Sequence, residues 1–175
     1  APADRARALL ALAQSYLAAD RLAEARRSLE QITTLELPPT SKFVAAAWTE
    51  LGTVASRSGN AEAARDAFGR GLSAFRETQS ELEEARALHR RAEAMMRVGD
   101  LDSVLDDTAA ALAAFDRISL RGTQAEQRAA FLAAQRGAAE LRIAALLHTA
   151  DGMQKAGESQ KADELRRAAL ETSDS

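Results

Sequence analysis

The chain has 175 residues, 46% of them hydrophobic and 28% charged, enough for one domain with a core or a short stack of repeats. Its 23 basic and 26 acidic side chains are intermixed and leave a net charge of −3, which argues against a general nucleic-acid footprint. With no cysteine, the chain holds no disulfide, thiolate metal site or cysteine nucleophile.

Aromatics are only 4% of the residues while alanine recurs throughout, which predicts helices that approach closely through small side chains. Taken in chain order, the helix-period pattern predicts helices over 4–18, 21–35, 41–57, 61–78, 80–97, 101–118, 123–156 and 158–171. The turn Leu37-Pro38-Pro39-Thr40-Ser41 separates the second and third, with Thr40 or Ser41 as the N-cap. Segment 123–156 contains no proline and reads as one long helix, or as a helix broken near Gly137. No apolar run approaches the ~20 residues of a membrane span. A cytoplasmic location is the default expectation. The first residues, Ala-Pro-Ala-Asp in place of Met, predict a fragment of a longer protein.

An internal repeat emerges from these elements. Its clearest copy runs Trp48-x-x-Leu51-Gly52-x-x-Ala55, Gly59-Asn60, Ala64, Phe68, Gly71-Leu72. The preceding copy runs Leu9-x-x-Leu12-Ala13-x-x-Tyr16, Asp20-Arg21-Leu22, Ala25, Leu29, Ile32, and the next Leu88, Ala92, Met95, Gly99-Asp100-Leu101, Val104. A weaker copy holds Leu146, Ala150, Met153, Gly157-Glu158 and Ala162. Gly99 follows Gly59 by 40 residues, a longer period than the usual ~34. The pattern resembles the tetratricopeptide consensus. That resemblance implies an all-α, tetratricopeptide-like α-solenoid of antiparallel helix pairs, about eight helices including one long one, forming a single domain over 1–175 with repeats near 6–40, 45–78, 85–118 and a divergent 123–171.

Residues Arg128-Ala129-Ala130-Phe131-Leu132-Ala133-Ala134-Gln135-Arg136, followed by Glu140-Leu141-x-Ile143-x-x-Leu146-Leu147, are similar to the segment preceding the peptidase in bacterial CHAT proteins, whose protease domain is caspase-like. The run Ala162-Asp163-Glu164-Leu165-Arg166-Arg167 matches that family only approximately. The resemblance implies a regulatory or substrate-recruiting repeat region, with the peptidase His and Cys beyond Ser175 and an intramolecular contact to the following domain. The alternative is the sensor arm of a signal-responsive transcription regulator.

The chain itself is expected to be non-catalytic and to need no cofactor or metal. His89 and His148 are its only histidines and neither has a partner at metal-ligand spacing. No Gly-x-Ser-x-Gly elbow occurs, and Gly69-Arg70-Gly71 lies in a helical pattern where a phosphate loop would follow a strand. The resemblance places partner binding on the first helix of each pair, which projects Gln14 and Leu17, then Thr49, Thr53 and Arg57, then Arg86, His89, Arg90, Glu93, Met96 and Arg97, and finally His148 onto one concave surface. Arg86, Arg90 and Arg97 share a broad helix face and Arg57 approaches from the neighbouring repeat, predicting a cationic groove for an acidic or C-terminal peptide. The competing reading pairs these arginines with Glu83, Glu93 or Asp102. Arg86 and Arg90 also match half of the carboxylate clamp of chaperone-binding members, whereas Glu50, Gln14 and Leu10 do not supply its Asn and Lys.

Overall fold

The computed structural model describes residues 1–118 and 125–173. These form eight helices and, among the described residues, no strand: α1 (Pro2–Ala18), α2 (Leu22–Thr33), α3 (Lys42–Arg57), α4 (Ala61–Glu77), α5 (Glu81–Val98), α6 (Leu101–Arg117), α7 (Ala125–Lys155) and α8 (Ser159–Ser173). Positions 123 and 124 of the expected long helix, and the last two residues of the expected domain, lie outside the described residues.

Local chemistry sets the helix ends. Ser41 caps α3 by accepting from the Phe43 amide, Asn60 caps α4 through the Ala63 amide at 3.0 Å, and Asp100 caps α6 through the Ser103 amide at 3.3 Å. Gly59, Gly99 and Gly157 follow α3, α5 and α7 at φ of +77°, +75° and +83°, the left-handed region that favours glycine. Asp20 and Gln79 adopt the same region after α1 and α4 without that advantage.

Consecutive helices pack as the pairs α1/α2, α3/α4, α5/α6 and α7/α8, with α2, α4 and α6 each also touching the helix that follows. Small residues allow the crossings. Gly52 of α3 lies under the Phe68 ring of α4, and Gly71 of α4 lies against Thr49 and the Ala45 carbonyl of α3. The core runs along the stack in three clusters: Leu17, Leu29, Ile32 and Val54 pack at the N-terminal end, Phe68, Met95 and Val104 form a second cluster with Ala145, and Leu72, Phe75, Leu88 and Phe115 form a third with Phe131 and Ala138.

The odd-numbered helices also touch one another, α1 with α3, α3 with α5 and α5 with α7, while among the described residues the even-numbered helices touch no other even-numbered helix. The odd helices therefore form the inner layer of a curved stack. Helix α7 runs unbroken through Gly137 for 31 residues, about 46 Å at 1.5 Å per residue. Its N-terminal half is seated by Phe131, which meets Phe115 edge to face at 5.1 Å and 86°. No helix among the described residues is long and apolar enough to cross a membrane.

Candidate functional site

Two adjoining pockets lie on the inner layer. The first, of about 410 Å³, is lined by Leu10 and Gln14 of α1, Ala46, Thr49 and Glu50 of α3, Phe75 of α4, Glu83, Arg86, Ala87 and Arg90 of α5, and Ala130 of α7. The second, of about 420 Å³, continues along the same helices past Gln14, Leu17, Ala18, Glu50, Thr53, Arg57, Arg90 and Glu93. Gln14, Glu50 and Arg90 belong to both, so the pockets form one groove with these three side chains at its waist. Helical spacing aligns each wall: Ala46, Glu50, Thr53 and Arg57 on α3, and Glu83, Arg86, Arg90 and Glu93 on α5.

Glu50 is 5% exposed, and its Oε1 accepts from both the Arg90 guanidinium and the Gln14 amide, the latter at 3.5 Å. Arg57 donates to the Leu17 carbonyl at 2.8 Å and to Asp20 at 2.7 Å, and Arg86 pairs with Glu83 at 3.1 Å. Three of the four arginines expected to make the groove cationic are thus held by carboxylates of the chain itself. Of the pairings anticipated from sequence, only Arg86 with Glu83 occurs among the described residues. Arg90 turns to Glu50 and Arg57 to Asp20. Arg97 is exposed with no ion pair among the described residues, and it does not line either pocket.

The other expected groove residues divide. Thr49, Thr53 and Glu93 line the groove, although Thr49 is 5% exposed and its hydroxyl donates to the Ala45 carbonyl at 3.0 Å beside Gly71. His89 lies about a quarter-turn away and packs beneath α7, where a Cβ on Gly137 would stand 3.2 Å from its ring. Its Nδ1 is buried without a hydrogen-bond partner, and its Nε2 is 3.7 Å from Glu93. Burial holds its pKa below 6.5; Arg90 adds to the depression and Glu93 opposes it. Met96 is half-buried against the Phe68 and Met95 cluster. His148 is not brought to this groove: it lines a separate cleft at the α7/α8 turn with Leu101, Asp151, Met153 and Glu158. No group of three or more His, Asp or Glu among the described residues is arranged to hold a metal ion.

In the sequence, Glu50 and Leu10 register only as mismatches to a clamp, and Gln14 as both a mismatch and a residue of the inner surface. In the structure they are the waist and floor of the groove. The spacing Ala46, Glu50, Thr53, Arg57 carries that signal, whereas Phe75 and Ala130 enter from other helices and leave none.

No protein-family model and no curated protein matches the chain. Solved structures do. BtubC (BKLC) from P. vanneervenii superposes with a TM-score of 0.71 at 17% identity, covering 98% of this chain and 64% of that one. A putative kinesin light chain from Podosopora anserina, described by its nearly identical TPR-like repeats, superposes at 0.59 and 19% identity over 99% of this chain and 96% of that one. A variant form of that kinesin light chain gives 0.57 at 20% identity over 96% and 94%. The fold is a tetratricopeptide-like α-solenoid. The chain spans about 64% of the length of BtubC.

Proposed function

We propose that this solenoid is a protein-interaction scaffold that holds an extended peptide segment of a partner in the groove of α1, α3 and α5. The observation that carries this reading is the continuity of the groove: two pockets along the same three helices share Gln14, Glu50 and Arg90, so an extended chain can cross from one to the other. The walls are fixed before binding, because Glu50, Arg57, Arg86 and Arg90 are already positioned by internal bonds, and the scaffold has little order to gain when occupied. Catalysis is not part of the proposal.

The resemblance of residues 128–147 to CHAT proteins makes this scaffold the regulatory or recruiting arm of a cytoplasmic protease. The similar structures lend that context no support, nor do they support the transcription-regulator alternative. Reading the gene beyond codon 175 separates a His/Cys peptidase from a DNA-binding domain.

The groove is tested by selecting binders for the chain from a random dodecapeptide display library and measuring them against two variants that fill it, Ala130→Trp and Thr53→Arg, with circular dichroism as the check on folding. The selected peptides should lose binding to both. Binding that survives both substitutions refutes the groove.

A further inference from the structure

The charge balance inside the groove bears on what fills it, an inference that rests on the groove being the binding surface. Leu10, Ala46, Phe75, Ala87 and Ala130 give the first pocket an apolar floor contributed by five helices, with space left by three alanines. It suits one apolar side chain.

The groove as a whole is electrostatically different from what a count of arginines implies. Arg57 is held by Asp20, Arg86 by Glu83 and Arg90 by Glu50. Arg90 reaches Glu50 through Nη1 alone, so a ligand carboxylate that took its remaining donors would share one guanidinium with the buried Glu50 and stand beside that negative charge. A ligand cation finds an unpaired carboxylate in the same groove. Glu93 is 47% exposed on its side chain and has no lysine or arginine within 4 Å among the described residues; its sole neighbour of that kind is His89 at 3.7 Å, which burial keeps neutral at neutral pH. Glu50 adds a second acceptor, since both of its hydrogen bonds fall on Oε1 and none on Oε2.

We infer that the groove selects a peptide carrying an apolar side chain for the pocket over Phe75 and, about two to four residues along an extended chain, a lysine or arginine for Glu93 and Glu50. This reverses the polarity that the sequence alone predicts for the ligand.

The same dodecapeptide selection tests it. Leu, Met or Phe followed at that spacing by Lys or Arg should be enriched. In one selected peptide, changing the basic residue to Gln should weaken binding about three- to fivefold and changing it to Glu more, as fits one exposed charge pair. The preference for the basic peptide should shrink with added salt and, in Glu93→Gln, a substitution at an exposed position that leaves the fold intact by circular dichroism, fall to the part that Glu50 supplies. Enrichment of acidic residues, or equal binding of the Lys, Gln and Glu versions, overturns this inference while leaving groove binding in place. Selected peptides indifferent to Ala130→Trp and Thr53→Arg overturn the groove reading itself, and this inference with it.

Discussion

Replacing Gly52 by alanine adds one methyl group, and the structure determines where it goes. The new Cβ would stand 2.6 Å from Cδ2, 2.7 Å from Cγ and 2.8 Å from Cε2 of Phe68. Carbon atoms in contact prefer about 3.5–4.0 Å, so the ring and the methyl overlap by about 1 Å. Phe68 is fully buried and cannot swing into solvent, which leaves only separation of α3 from α4 or a strained side chain. Such overpacking costs about 1–3 kcal/mol, and the gain in helix propensity from Gly to Ala returns about 1 kcal/mol. The net loss is up to about 2 kcal/mol, equivalent to a fall of up to about 8 °C in Tm for a chain of this length. Gly69, on the same hairpin, provides the internal control, because a Cβ there meets nothing within 4 Å. Gly69→Ala should gain about 0.5–1 kcal/mol and melt higher than the parent. Thermal unfolding followed by far-ultraviolet circular dichroism compares the two directly. If Gly52→Ala melts as high as Gly69→Ala, α3 and α4 do not cross at Gly52 under Phe68.

Burial lowers the pKa of His89 in the folded chain, so its contribution to stability is present above the unfolded value near 6.5 and is lost as pH falls through that value toward the depressed folded one. Urea unfolding at pH 7.5 and 5.5 should show this loss, and His89→Leu should remove the part of it due to this residue; an unchanged pH slope would place the imidazole in water. Asp107 is 3% exposed and takes both the Nε and Nη2 of Arg91 at 2.7 and 2.5 Å, so Arg91→Ala should cost about 3–5 kcal/mol by stranding a buried carboxylate. Asp107→Ala should cost less in the same urea titration, because Arg91 is 29% exposed and can rehydrate; the opposite order would contradict the burial of Asp107. Gln79 at φ +52° carries left-handed strain of about 1–2 kcal/mol, partly offset in glycine by unfolded-state entropy, so Gln79→Gly should raise stability by about 0.5 kcal/mol. A drop in the chemical midpoint would mean that the Gln79 side chain contributes more than its backbone costs.

The architecture is legible in the sequence because its determinants are local. Asn60 and Asp100 stand where caps are needed, Gly59, Gly99 and Gly157 occupy left-handed positions, and the Pro38-Pro39 pair interrupts the chain between α2 and α3. The absence of proline from 123–156 foretells a long helix, and Gly137 permits close packing on His89 without breaking it. The groove is legible only in outline. Arg57 meets Asp20 from 37 residues away and Arg90 meets Glu50 from 40, so these pairings depend on the register of one hairpin on the next. A place on an inner helix predicts His89 in the groove, yet the phase of α5 turns it toward α7. His148 lies on the far half of α7, beyond the reach of the inner surface that the other hairpins share.

The unequal packing of the two layers makes the molecule a spring with a stop. The inner helices already touch and resist compression, as close-packed interiors do, so the arc cannot tighten without crushing the α1/α3 and α3/α5 contacts. The outer helices do not meet one another among the described residues, so straightening the arc brings them together as it opens the inner face. The groove therefore yields in one direction only: it widens around a bulky guest but does not clamp down on a slender one.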